Sequence, residues 1–113
     1  MIHATFFRNA DSQISAFKLT GHADSGDYGH DIVCAAVSVL SISTVNGLQR
    51  VAQLDLDVDS NDTEGGYLRV TLLPTNDSTR EDRGQTLLQS FEDGLHDVAA
   101  NYSDYITMTQ VSN

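Results

Sequence analysis

The 113-residue chain is expected to fold as an α+β domain in the order ββ-α-ββ-α-β, with two helices packed on one face of a mostly antiparallel sheet. Three observations carry this. Two short runs rich in β-branched and aromatic residues open the chain. A stretch of some twenty residues without a strong break follows, and then two runs of alternating polarity. Near the C-terminus a capped segment carries apolar residues at helical spacing. The length suits one domain covering residues 1–113.

Ile2 to Arg8 and Ile14 to Thr20, flanking the polar group Asn9-Ala-Asp-Ser12, read as a hairpin. Residues 21–31, with Gly21, Gly26 and Gly29 among aspartates and a serine, read as a flexible loop. From residue 32 to about residue 52 only Gly47 interrupts the pattern, so length favours a helix over a buried strand. Its apolar positions Val33, Val37, Leu40, Val45, Leu48 and Val51 mostly keep steps of three and four, and Asp31 is the expected N-cap. Residues 54–59 alternate strictly, with Leu54, Leu56 and Val58 on one face and three aspartates on the other. A turn at residues 61–66 leads to a returning strand at residues 67–73, ended by Pro74. Ser78-Thr-Arg-Glu81 has the form of a capping box, and Leu87, Leu88, Phe91, Leu95, Val98 and Tyr102 form the stripe of the helix behind it. Residues 105–111 alternate again and read as a last strand.

Composition narrows the function classes. Six Lys and Arg stand against 16 Asp and Glu, a net charge of −10. The scattered basic residues form no patch suited to phosphates, so direct nucleic-acid binding is not expected. The same charge disfavours anionic membrane surfaces. The weakly polar run at residues 32–42 falls short of the roughly 18 apolar residues of a membrane span. The first eight residues show no basic leader or cleavage site, and a cytoplasmic location is expected. One cysteine excludes an internal disulfide and a Cys-rich zinc site.

Reactive residue types concentrate between positions 21 and 38. With Asp31 as cap, Cys34 falls in the first helical turn, beside the free amides and the positive end of the helix dipole. That setting favours a thiolate and makes a cysteine reactive. His22 lies twelve positions upstream, at the start of the glycine-bearing loop, and a loop that folds back brings imidazole to sulfur. A Cys–His pair is the minimum unit for nucleophilic acyl transfer, and amides at the helix start suit an oxyanion hole. Each residue also has a plainer reading: Cys34 as a small buried hydrophobe, His22 as an ordinary loop histidine, the glycines as turn formers. The glycine spacing does not match a phosphate-binding loop, and the nearby aspartates would repel phosphate. Ser38 follows Cys34 by one turn on the same helix face.

The stretch Gly21-His22-Ala23…Gly26…Gly29…Asp31-Ile32-Val33-Cys34-Ala35-Ala36-Val37-Ser38 closely resembles the signature of the bacterial ribosomal-processing cysteine protease family. Chain length and element order resemble that family over essentially the whole chain. The resemblance implies Cys34 as nucleophile and His22 as general base. It implies removal of a short N-terminal extension from large-subunit ribosomal protein twenty-seven, by cleavage after Ala in a Phe-Phe-x-Ala-like site. It further implies a homodimer and no cofactor. Asp31 is a supporting candidate, to cap the helix or orient His22, and Ser38 a second one, to bond a backbone carbonyl or touch the site. The glycines suit a loop that carries His22 over the peptide when substrate binds.

Two other classes compete. His22, Asp24, Asp27, His30 and Cys34 offer mixed metal ligands, though at no familiar spacing. Asp55, Asp57 and Asp59 do not start an EF-hand, because Ser60 and Gly66 stand where that loop needs Gly and Glu. A non-catalytic factor that grips a ribosomal protein on its acidic surface would share the partner but not the reaction.

Overall fold

The computed structural model describes residues 1–21, 30–61 and 66–112. The elements are β1 (Ile2–Arg8), β2 (Ile14–Thr20), α1 (His30–Arg50), β3 (Leu56–Ser60), β4 (Tyr67–Leu72), α2 (Ser78–Asn101) and β5 (Ile106–Ser112). The expected order is therefore observed. The sheet runs β3-β4-β2-β1-β5, with every pairing antiparallel except β1 with β5, which is parallel.

The partial alternation of β2 has a local cause. Phe7 faces Ala16 and Arg8 faces Ile14, so Ser15 is an extra residue in the ladder. Its hydroxyl donates to the Phe7 carbonyl at 3.1 Å. The bulge resets the pleat, so Ile14, Phe17 and Leu19 are all buried although their spacing is irregular. Across the sheet, Phe17 pairs with Phe6 on one side and Val70 on the other, and all three are fully buried. Phe91 from α2 closes on Phe17 edge-on at 4.8 Å between ring centroids and on Phe6 at 5.6 Å. Leu88 and Leu95 of α2 and Val33, Val37 and Leu48 of α1 join the same cluster. The opposite pleat, with His3 and Arg69 exposed and Lys18 half-buried, carries no helix among the described residues.

Several boundaries differ from expectation. α1 begins at His30, so Asp31 lies inside its first turn and is not the N-cap. α2 is capped by Asp77, one residue before the expected Ser78; its carboxylate accepts from the Thr79 and Arg80 amides at 3.1 Å each. A carboxylate one step earlier in the chain takes the role that the Ser78 hydroxyl would have held. Val51 follows the end of α1 and is 59% exposed, while Ala52 and Leu54 fill the core there. Leu54 precedes β3, and Val58 remains 42% exposed because β3 is an edge strand. Residues 32–50 also form a segment long and apolar enough to cross a membrane by length and composition, more than the run at residues 32–42 suggested. Val33, Val37 and Leu48 of that segment are spent in the core of the domain.

Candidate active site

Helical geometry decides how Cys34 is presented. Val33 and Val37, four residues apart, point into the core and are 0% and 6% exposed. Cys34 sits one step around the helix from Val33, at the seam between the buried stripe and solvent, and is half-buried. Ser38 and Ser41 continue the ridge at four and seven residues from Cys34. Ser38 is exposed, whereas Ser41 is buried, and the Ser41 hydroxyl donates to the Ser38 carbonyl at 3.1 Å. That internal bond lets a hydroxyl face the sheet side of the helix without an unmet donor.

This ridge forms one wall of a cleft of about 390 Å3. Cys34, Ser38, Ser41 and Ile42 line it from α1. The other wall is the end of the sheet, with Ile2, Leu19, Tyr67 and Leu68, together with Ser60, Asn61 and Gly66 around the β3–β4 connection. Gly21, at the exit of β2, lines the same cleft. The floor is apolar and the rim carries hydroxyl and amide groups, a setting suited to an extended peptide beside a thiol.

Of the expected site residues, Cys34, Ser38 and Gly21 are thus gathered around one cleft. His22, Gly26 and Gly29 lie outside the described residues, as does the side chain of Asp31. Starting α1 at His30 makes Cys34 its fifth residue, just past the four amides that lack acceptors within the helix. Cys34 thus lies beyond the first turn, in which the sequence placed it. No group of three or more metal-binding side chains occurs among the described residues, and of the alternative metal set His22, Asp24 and Asp27 fall outside them, as does the side chain of His30. The sheet-side wall was not singled out from sequence. Its signals were the alternation that turns Leu68 toward the helices and the glycine before Tyr67.

A half-buried thiol near a helix start, facing a peptide-sized cleft, is an arrangement that a thiol hydrolase can use. Comparison with known proteins makes the class definite. The family model described as Cysteine protease Prp matches residues 1–107. The ribosomal processing cysteine protease Prp of Bacillus subtilis is 29% identical over 109 residues, covering 96% of each chain. The crystal structure of SMU.848 from Streptococcus mutans superposes with a TM-score of 0.86 at 35% identity, covering 100% of this chain and 96% of that one. The essential ribosomal processing protease Prp of S. aureus, solved with a covalently linked product peptide, gives a TM-score of 0.85 at 29% identity, with coverage of 97% and 99%. The chain is a cysteine protease. It belongs to the Prp family of ribosomal processing cysteine proteases.

Proposed function

We propose that this protease removes the short N-terminal extension of bacterial large-subunit ribosomal protein twenty-seven, cutting after Ala in a Phe-Phe-x-Ala-like site. The observation that carries the reading is Cys34 lining an apolar-floored cleft in a chain of this family. His22 takes the Cys34 proton or pairs with the thiolate. The sulfur attacks the carbonyl carbon of the scissile Ala, and amides of the first turn of α1 hold the oxyanion. Imidazolium then gives its proton to the leaving amine, and water cleaves the thioester to release the acid and regenerate the thiol. Ile2, Leu19, Ile42 and Leu68 receive apolar side chains of the leader, and Tyr67 flanks them.

The protein acts in the cytoplasm on newly made ribosomal protein, and it does so as a homodimer. Ile32 and Val39, 51% and 67% exposed along α1, offer an apolar surface that a second copy would cover. Incubating the protein with a peptide spanning the Phe-Phe-x-Ala site, and reading the products by mass, tests the reaction. Uncut peptide, or cuts elsewhere, refutes it; binding without cleavage favours the assembly-factor alternative. Sedimentation at micromolar concentration tests the dimer.

A further inference from the structure

We propose that the outer edge of β3 is a second substrate-binding element, to which the basic chain that follows the scissile bond adds as a sixth strand. This rests on the reading above, in which a ribosomal protein is cut in the Cys34 cleft.

The direction of the β3 peptide groups follows from its pairing. Strand β3 ends the sheet, with β4 as its neighbour. Asp57 stands opposite Thr71 and Asp59 opposite Arg69. The Leu73 amide donates to the Asp55 carbonyl at 3.0 Å, and the Asn61 amide to the Tyr67 carbonyl at 3.2 Å. Hydrogen-bonded pairs alternate with non-bonded ones in an antiparallel ladder, so Asp57 and Asp59 also turn their peptide groups toward β4. The amides and carbonyls of Leu56 and Val58 therefore point outward, where a further strand can meet them.

Position ties this edge to the chemistry. β3 ends at Ser60, which with Asn61 lines the cleft that holds Cys34. At its other end, Asp55 and Leu56 line a second depression together with Gln49 and Gln53. Helix α1 runs beside the edge in the opposite sense, from Cys34 at the cleft to Gln49 at the depression. That span of helix is about 22 Å long at about 1.5 Å per residue. An extended chain rises about 3.3 Å per residue, so the track accommodates about six or seven residues.

The two faces of an added strand meet different surroundings. Val58, on the same pleat as the buried Val70, is 42% exposed and offers an apolar contact on the helix side. Asp57 and Asp59 are exposed on the other pleat. The guanidinium of Arg69, the register partner of Asp59, lies over the Phe7 ring at 5.0 Å. A strand that alternates basic and apolar side chains fits both faces. A protein that binds ribosomal RNA carries the Lys and Arg that neutralise phosphates, whereas the Phe residues of the leader suit the apolar floor of the cleft. The chain beyond the cut is thus assigned to β3.

The test uses two peptides with the same Phe-Phe-x-Ala leader. One ends two residues past the Ala, and the other continues for six more, alternating Lys and Val. The longer peptide is expected to be cleaved by the parent with a kcat/KM about tenfold or more above the shorter. Val58→Pro removes an outward amide without removing a bond to β4, a place where an edge strand tolerates proline. It is expected to cancel most of that advantage, with the loss confined to the longer peptide. Asp57→Asn combined with Asp59→Asn is expected to remove about threefold of the advantage at low salt, and this pair decides should Val58→Pro not fold. Equal kcat/KM for the two peptides with the parent, or variants that slow both alike, overturns the proposal. If neither peptide is cut, the assigned reaction fails and binding decides the edge separately. Cys34→Ala protein is then expected to bind the longer peptide about tenfold more tightly in fluorescence anisotropy, and equal binding overturns the proposal.

Discussion

Arg8 and Glu92 meet at 2.6 Å between Nη2 and Oε1, with the Glu92 side chain 5% exposed, so an ion pair joins β1 to α2 beneath the end of the sheet. Glu92 also accepts from Gln110 of β5 at 2.8 Å and, more weakly, from Gln89 at 3.3 Å. Arg8 in turn donates to the Ser12 carbonyl and to Gln110. Every oxygen of this carboxylate has a donor, which is the condition under which a charge persists in a core.

Arg8→Ala leaves that carboxylate buried with only amide partners and is expected to cost about 2–4 kcal/mol, toward the lower end because Arg8 keeps partial contact with water. Urea denaturation reads the loss. Arg8→Met combined with Glu92→Leu is expected to recover most of it. A single variant as stable as the parent contradicts this account.

Gly84 on α2 packs directly against Leu54, and an added Cβ would overlap its Cδ1. Leu54 is 4% exposed, so its side chain must be displaced from its place in the core to make room. Gly84→Ala is expected to destabilise by about 1–3 kcal/mol, net of the helix propensity gained. Gly94→Ala, whose Cβ would meet the half-buried Leu40 at 3.4 Å, is expected to stabilise by up to about 1 kcal/mol. Opposite signs in thermal melts of the two variants check the packing.

Cys34→Ala is expected to abolish peptide cleavage while shifting stability by less than about 1.5 kcal/mol, since a half-buried thiol contributes little area. Pre-treatment of the parent with a thiol-alkylating reagent should have the same effect on cleavage. Residual cleavage at the parental rate in either experiment removes Cys34 from the reaction.

Ile42 is 60% exposed and lines the cleft opposite Tyr67. Ile42→Asp and Tyr67→Ala are each expected to lower kcat/KM for an aromatic leader about tenfold, equivalent to about 1.4 kcal/mol. Peptides with Ala in place of the two Phe residues should lose most of the difference between parent and variants. Equal effects on both peptides would argue against side-chain recognition at this wall.

With a net charge of −10, the protein should attract a basic ribosomal-protein substrate over distance. Cleavage of a basic substrate at low concentration is expected to slow several-fold as salt rises, through kcat/KM. A salt-independent rate refutes electrostatic steering and leaves the chemistry untouched.

How much of this was legible in the chain follows from where the information sits. Strand alternation, the helical stripe of α2 and the long run of α1 are local patterns, and they set the element order; Cys34, His22 and Ser38 stand out only as reactive types in one stretch, and the resemblance to a family signature supplies their expected roles. Boundaries were less legible. The cap at Asp77 and the helix start at His30 depend on which of several neighbouring groups wins a backbone amide, a contest of about 1 kcal/mol. The bulge at Ser15 was visible only as a flaw in the alternation of β2.

The sequence by itself determined the class of element at each point, the acidity and the single thiol. Only the tertiary structure decided what stands across from that thiol. Ile2, Leu19, Tyr67 and Leu68 lie far from Cys34 along the chain and reach it because β1, β2 and β4 are adjacent in one sheet beneath α1. The same adjacency sets Met1 behind Gly21 and Gly66 before it. Periodicity reports which face of an element is apolar; strand order and register, set by long-range pairing, choose its neighbours.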